Sequence, residues 1–273
     1  MKNKKQNIKK VSKHSKERSN KITKRKVLMV ILIIVLCVSI AYVIYHFYSQ
    51  WKNKNLLDEL SDFVEVPTSE ENKQNKDEEF LQKLQELKQE NSDLVGWITI
   101  DGTDVNYPVL QTDNNDFYVN HNFEKEYNEL GSIFLDKDCS IQKPTANFLI
   151  YGHRSNGGQM FESLTKYKEK DFYEEHPTFQ FATLDEVSKY EIIAVFQSQV
   201  YLKSQDVFKY YFFKDTANEQ EFDQYIENVK KLSLYEIDAT ASYGEQLITL
   251  STCDYHVEDG RFAIVAKKLL TKD

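Results

Sequence analysis

The sequence predicts a mainly β domain, a sandwich or barrel of short strands, carried behind one N-terminal membrane helix. Three observations carry this. From Val95 onward, runs of strand-forming residues alternate with turn residues. Helical stretches within that region are few. Ahead of it, Val27 to Tyr45 is a nineteen-residue segment without a charge.

Charge divides the chain. Residues 1–26 hold twelve Lys and Arg against one acid, Glu17. Removing these from the totals of 35 basic and 43 acidic residues leaves a remainder of net −19, which the overall −8 conceals. The first segment reads as a basic cytoplasmic tail, because positive residues beside an apolar span stay inside. Residues 27–45 match a hydrocarbon core of about 30 Å at 1.5 Å per residue and read as a transmembrane anchor. Tyr42, Tyr45, Phe47, Tyr48 and Trp51 crowd the far end as an interfacial belt does. The span is long for the core of a cleavable signal and no small-x-small site follows it, so an uncleaved anchor is expected. The acidic remainder argues against nucleic acid as a partner.

Residues 46–76 read as an extracellular stalk, polar and of mixed charge, with helical character at Leu56 to Phe63 and a Pro67-Thr-Ser-Glu-Glu-Asn run. The globular domain is placed at 77–273. It opens with a helix over Asp77 to Glu90, where Phe80, Leu81, Leu84 and Leu87 form one apolar stripe. Strands are expected at Trp97–Ile100, Val105–Leu110, Ser132–Leu135, Asn147–Tyr151, Phe179–Thr183 and Tyr190–Gln199, followed by a final pair, Leu247–Leu250 and Phe262–Leu270. Helices are expected at Met160–Tyr167 and, with Phe222, Tyr225, Ile226 and Val229 on one face, at Ala217–Leu232.

The final strand pair carries the chemistry. Cys253 ends one run and Arg261 begins the next, so antiparallel pairing puts a thiol and a fixed cation on one rim. A cation there favours a thiolate or stabilises an oxyanion during acyl transfer; a buried structural cysteine beside a solvated arginine is the alternative. Of the three cysteines, Cys37 lies in the span, so only Cys139 and Cys253 can pair, and no spacing suggests zinc. A cysteine nucleophile needs a proton carrier. His121 and His176 sit in polar loops; His256 is near Cys253 on a loop; His153 follows the strand Phe-Leu-Ile-Tyr and a glycine, where a rigid element can aim it. His153 and His256 both remain candidates on these grounds.

Thr249-Leu-Ser-Thr-Cys253, seven residues, then Arg261, with Tyr151-Gly-His-Arg154 upstream, resembles the sortases, membrane-anchored transpeptidases of Gram-positive cell surfaces. Asn91 to Gln111, Asp113 to Val119 followed by Gly131 to Asp136, and a helix inserted ahead of the Cys-bearing strand are similar to class B. The resemblance covers about residues 77–270. It implies a closed eight-stranded barrel with N-terminal helices. It also implies Cys253 as nucleophile, His153 as acid/base and Arg261 as carbonyl or oxyanion stabiliser. Ser251, Thr252, Asn115 and one of Tyr210 and Tyr211, with Tyr211 preferred, are implied at the substrate groove. The implied substrate is a surface protein with a C-terminal sorting signal of NPxTN or PxTG type, cut after Thr. Its acceptor is a lipid-linked peptidoglycan amine, and no cofactor is needed. Two other readings stay open: an extracellular cysteine peptidase that only hydrolyses, and an anchored non-enzymatic β-domain receptor.

Overall fold

A computed structural model describes residues 2–64, 66, 73–155 and 157–270, with side chains described from Lys24 onward. The Pro67 to Asn72 part of the expected stalk lies outside the described residues. Two compact units divide after Lys54. The first is helical throughout its described length. Helix α1 (Lys2–Val64), which begins in it and ends in the second unit, includes a segment long and apolar enough to cross a membrane, by length and composition.

The second unit is built on a barrel. Its strands are β1 (Leu94–Thr99), β2 (Asn106–Leu110), β3 (Ile133–Leu135), β4 (Asn147–Tyr151), β5 (Thr178–Ala182), β6 (Val187–Gln199), β7 (Leu247–Cys253) and β8 (Gly260–Lys268). They close in the order β1-β2-β3-β4-β7-β8-β6-β5, with β1 pairing β5. The helices are α2 (Lys73–Glu90), α3 (Lys170–Glu175) and α4 (Glu219–Leu232). The expected helix at Met160 is a 3-10 stretch, Glu162–Lys168, and α3 adds a turn that its short, polar sequence did not announce. In α4 the Asn218 side chain caps the N-terminus by accepting from Gln220 N, and Phe222, Tyr225, Ile226 and Val229 are buried as the period required.

Strand parity separates two faces. Phe148 of β4 and Phe181 of β5 meet edge to face, although the two strands are far apart in the sheet order, so this parity points into the barrel. Ile248 and Ala266, in register with Phe148, share that interior. The opposite parity of β7, namely Thr249, Ser251 and Cys253, faces outward.

That outer face is covered because β6 and β7 both run antiparallel to β8 and are therefore parallel to each other. Parallel strands cannot be joined by a tight turn. The connection between Gln199 and Leu247 crosses over β8 and carries α4, and its tyrosines reach the sheet: Tyr225 Oη to Thr249 Oγ1 at 3.1 Å and Tyr210 Oη to Ser251 Oγ at 2.7 Å. With both faces covered, β7 is buried from Leu247 to Thr252, hydroxyl residues included. A second cluster packs α2, through Phe80, Leu84 and Leu87, on Leu94, Trp97, Leu110 and Phe134.

Phe181 touches both Phe148 and Tyr190 and is 1% exposed. Phe181→Ala in the full chain is expected to cost about 3–5 kcal/mol, read as a lower denaturation midpoint at unchanged slope. A change under about 1 kcal/mol would contradict a filled barrel.

Candidate active site

The site forms where β4 and β7 end side by side. These strands pair in parallel with Tyr151 opposite Ser251, and Phe134 of β3 is opposite Tyr151. The row Phe134–Tyr151–Ser251 is the floor of a groove of about 270 Å³, which is also lined by Asn115, Val119, Gly152, His153, Thr252, Cys253 and Arg261. Beyond Tyr151 the chain turns through Gly152, where a Cβ would come within 2.4 Å of Ile133 and 2.7 Å of Phe161. Glycine is what lets the strand end press against the core and still deliver His153 to the rim.

Cys253 stands directly opposite Arg261 on β8, as the sequence suggested. Asp254 N donates to Gly260 O, so the Cys253–Arg261 pair is a non-hydrogen-bonded one, with its side chains close and on one face. The Arg261 guanidinium is held by Nη1 donating to the Gly260 carbonyl at 2.9 Å and to the Asp259 carbonyl at 3.3 Å.

His153 Nε2 is 2.7 Å from the Val119 carbonyl. A carbonyl only accepts, so Nε2 carries the proton in the neutral ring and Nδ1 is left as the basic nitrogen. His153 and Cys253 line the same groove, and their mutual interaction is the largest influence on both groups. It holds the Cys253 thiol below its ordinary value against burial, which acts the other way, and Arg261 adds to the lowering. It raises His153, again against burial, with the Val119 carbonyl supporting the imidazolium. The pair is drawn toward thiolate and imidazolium, a state that suits nucleophilic attack followed by proton return.

His256, the other candidate, is engaged elsewhere: its Nδ1 lies 3.0 Å from Asp254 Oδ2. That carboxylate is 2% exposed and is also met by Arg154 Nη1 at 2.7 Å, Lys168 Nζ at 2.9 Å and Gln197 Nε2 at 2.6 Å. Burial alone would raise its pKa, but Gln197, Lys168 and His256 together hold it below the usual carboxylate value.

Asn115 and Thr252 line the groove, and the Thr252 hydroxyl is buried without a hydrogen-bond partner. Ser251 also lines it, but its hydroxyl is bonded to Tyr210. Tyr211 lies outside the lining and bonds the Tyr201 backbone N at 2.9 Å; Tyr210 is the tyrosine that reaches the catalytic strand. Sequence reasoning missed Tyr151, Phe134 and the Val119 carbonyl. Strand parity with Ser251 would have found the first two once the register was known.

Cys139 is buried, with its thiol against Asn147 O and Leu149 N and pushed up to about 11 by burial. Leu149 pairs with Thr249, four residues before Cys253, so the two sulfurs are separated by about 13 Å along the strands and cannot form a disulfide. Among the described residues, no cluster of His, Cys, Asp and Glu could hold a metal ion.

Alkylation of Cys253 by iodoacetamide, followed by mass spectrometry across pH, is expected to persist below the ordinary thiol range while Cys139 stays unlabelled. His153→Ala should shift the midpoint upward and slow the neutral-pH reaction several-fold. An unmoved midpoint would remove the coupling.

This arrangement has counterparts. A family model described as the sortase domain matches residues 98–269. Sortase B of Listeria monocytogenes is 35% identical over 224 residues, spanning 81% of this chain and 88% of that protein. A crystal structure of sortase B from B. anthracis aligns at TM-score 0.68 with 30% identity, over 82% of this chain and 99% of that one. A Staphylococcus aureus sortase B–substrate complex aligns at TM-score 0.71 with 26% identity, over 82% of this chain and all of that one. The chain belongs to the sortase family of cysteine transpeptidases, and its similarities are to the B class.

Proposed function

We propose that the chain is a membrane-anchored class B-type transpeptidase, with Cys253 as nucleophile, His153 as acid and base, and Arg261 as oxyanion stabiliser. The observation that carries this is that Cys253, His153 and Arg261 line one open groove, with Arg261 directly opposite Cys253 on the neighbouring strand. His153 Nδ1 takes the thiol proton, and the sulfur attacks the carbonyl of the Thr in a sorting signal of NPxTN or PxTG type. The negative charge on the carbonyl oxygen faces the Arg261 guanidinium. The imidazolium returns its proton to the leaving amine as the C–N bond breaks, leaving a thioester on Cys253. An amine of a lipid-linked peptidoglycan precursor then attacks the thioester, giving its proton to the neutral ring. The peptide-bond energy is retained in the thioester, so the cycle requires no cofactor.

Ser251, Thr252 and Asn115 contact the peptide in this reading, with Tyr151 beneath it. That a S. aureus sortase B of the same fold has been solved as a substrate complex supports a substrate-binding role for this fold. The apolar part of α1 supports an anchor at 27–45, with residues 1–26 cytoplasmic, 46–76 as stalk and 77–273 as the extracellular catalytic domain. That topology puts Cys253 on the side where both surface proteins and the lipid-linked amine reside.

Full-length chain in detergent should cleave fluorogenic sorting-signal peptides. Cys253→Ala and His153→Ala should abolish turnover, by about 10³-fold or more, and Arg261→Ala should reduce it by about 10²-fold or more. An added amine should divert product into a ligated peptide; release of free acid alone would identify a hydrolase. Turnover that survives Cys253→Ala would remove the mechanism.

A further inference from the structure

Asp136 is a carboxylate that the Cys253 chemistry does not use, and it is 1% exposed. It follows β3, and its backbone N continues the sheet by donating to Leu149 O at 2.8 Å. One oxygen, Oδ1, accepts from Asp138 N at 2.9 Å. The other, Oδ2, gathers three donors: Asn115 Nδ2 at 3.1 Å, Tyr151 Oη at 3.0 Å and Lys214 Nζ at 3.5 Å. Asn115 and Tyr151 both line the groove, and Lys214 belongs to the crossover that covers β7.

These bonds fix polarity as well as position. Asn115 Oδ1 accepts from Lys137 N at 2.8 Å, so its amide cannot flip without breaking two bonds, and its remaining amide hydrogen is a donor. Tyr151 gives its hydroxyl proton to Asp136, so its oxygen can only accept from a further partner. A donor and an acceptor presented side by side match the alternating C=O and N–H of an extended peptide.

We infer that Asp136 is the positioning residue of the peptide groove, setting Asn115 as donor and Tyr151 as acceptor to the substrate backbone, and tying both to the crossover through Lys214. The inference rests on the reading under Proposed function. It assigns Asp136 a part in peptide recognition and none in the proton transfers at Cys253, so KM must respond to its loss while the nucleophile does not.

Asp136→Asn keeps the size but turns one acceptor into a donor, so the Asp138 N–H and the three donors at Oδ2 cannot all be satisfied. In the full-length chain it should raise KM for the sorting-signal peptide by about tenfold or more, with kcat changed less than threefold. The rate and pH midpoint of Cys253 alkylation should stay within twofold of wild type. Adding Tyr151→Phe to Asp136→Asn should cost little more, since both act through one bond. If Asp136→Asn lacks a cooperative melt, Lys214→Met and Tyr151→Phe carry the test, and each should raise KM at least threefold with alkylation unchanged. Unchanged KM in a folded variant, or alkylation that falls in step with turnover, overturns the inference while wild-type cleavage leaves the function standing. A wild-type chain that cleaves no sorting peptide overturns both, and that arm alone reports it.

Discussion

The ion pair between Asp254 and Arg154 is the constraint on which the site depends. Parallel pairing of β4 and β7 brings two strand ends together, but the ladder stops at Tyr151 and Ser251, short of both His153 and Cys253. Past that point one backbone bond, Gly152 N to Ser251 O at 3.2 Å, and side chains hold the two ends in register. Arg154 follows His153 and Asp254 follows Cys253, and their 2.7 Å contact closes the gap one residue beyond the reacting pair. A carboxylate 2% exposed is costly to isolate, and removing one partner of such a pair typically costs about 3–5 kcal/mol. Lys168, Gln197 and His256 complete its coordination, so the strand ends are fixed by several elements at once.

The same arrangement keeps that charge away from the imidazole. Asp254 bonds neither His153 nor Cys253; the ring is oriented by the neutral Val119 carbonyl instead. A carboxylate on Nε2 would stabilise the imidazolium further and weaken its willingness to return a proton. A carbonyl fixes the tautomer with a smaller bias, and the thiol itself supplies the largest influence on the ring. Each partner is therefore tuned mainly by the other, which suits the proposed cycle, in which His153 gives up and regains one proton.

Local sequence pattern carried much of this architecture. β4 was legible to the residue, since Asn147–Tyr151 is an apolar run between turn signals, and α4 was legible from its stripe. The Cys253–Arg261 pairing followed from a hairpin, the one long-range contact that sequence spacing can suggest. Elements set by remote partners were not legible. Nothing near Asp136 announces that Asn115, Tyr151 and Lys214 converge on one oxygen, because they come from two separate connections and a strand end. The strand-end position favoured His153 over His256, but the contact of Asp254 with the nearer histidine was not legible. Tyr210 and Tyr211 are adjacent and alike in composition; only the path of the crossover decides which one meets Ser251.

That crossover explains why the strand bearing Cys253 has polar residues on a buried face. β6 and β7 flank β8 and run parallel, so the chain must pass over the outer face of the sheet to join them. Thr249 and Ser251 lie under it, and buried hydroxyls there require partners. Tyr225 and Tyr210 supply them from the crossover, and Thr249 also donates to Asn147 Oδ1 at 2.9 Å. The Leu-Ser-Thr-Cys order then has a physical division. Ser251 is committed to holding the crossover down beside the groove, while Thr252, of opposite parity, retains an unpartnered hydroxyl next to Cys253. Cys253, one step past the covered stretch, is the first residue of its parity to reach the groove with its side chain free to react. The crossover that the strand order imposes thus also sets where on β7 a reactive thiol can be exposed.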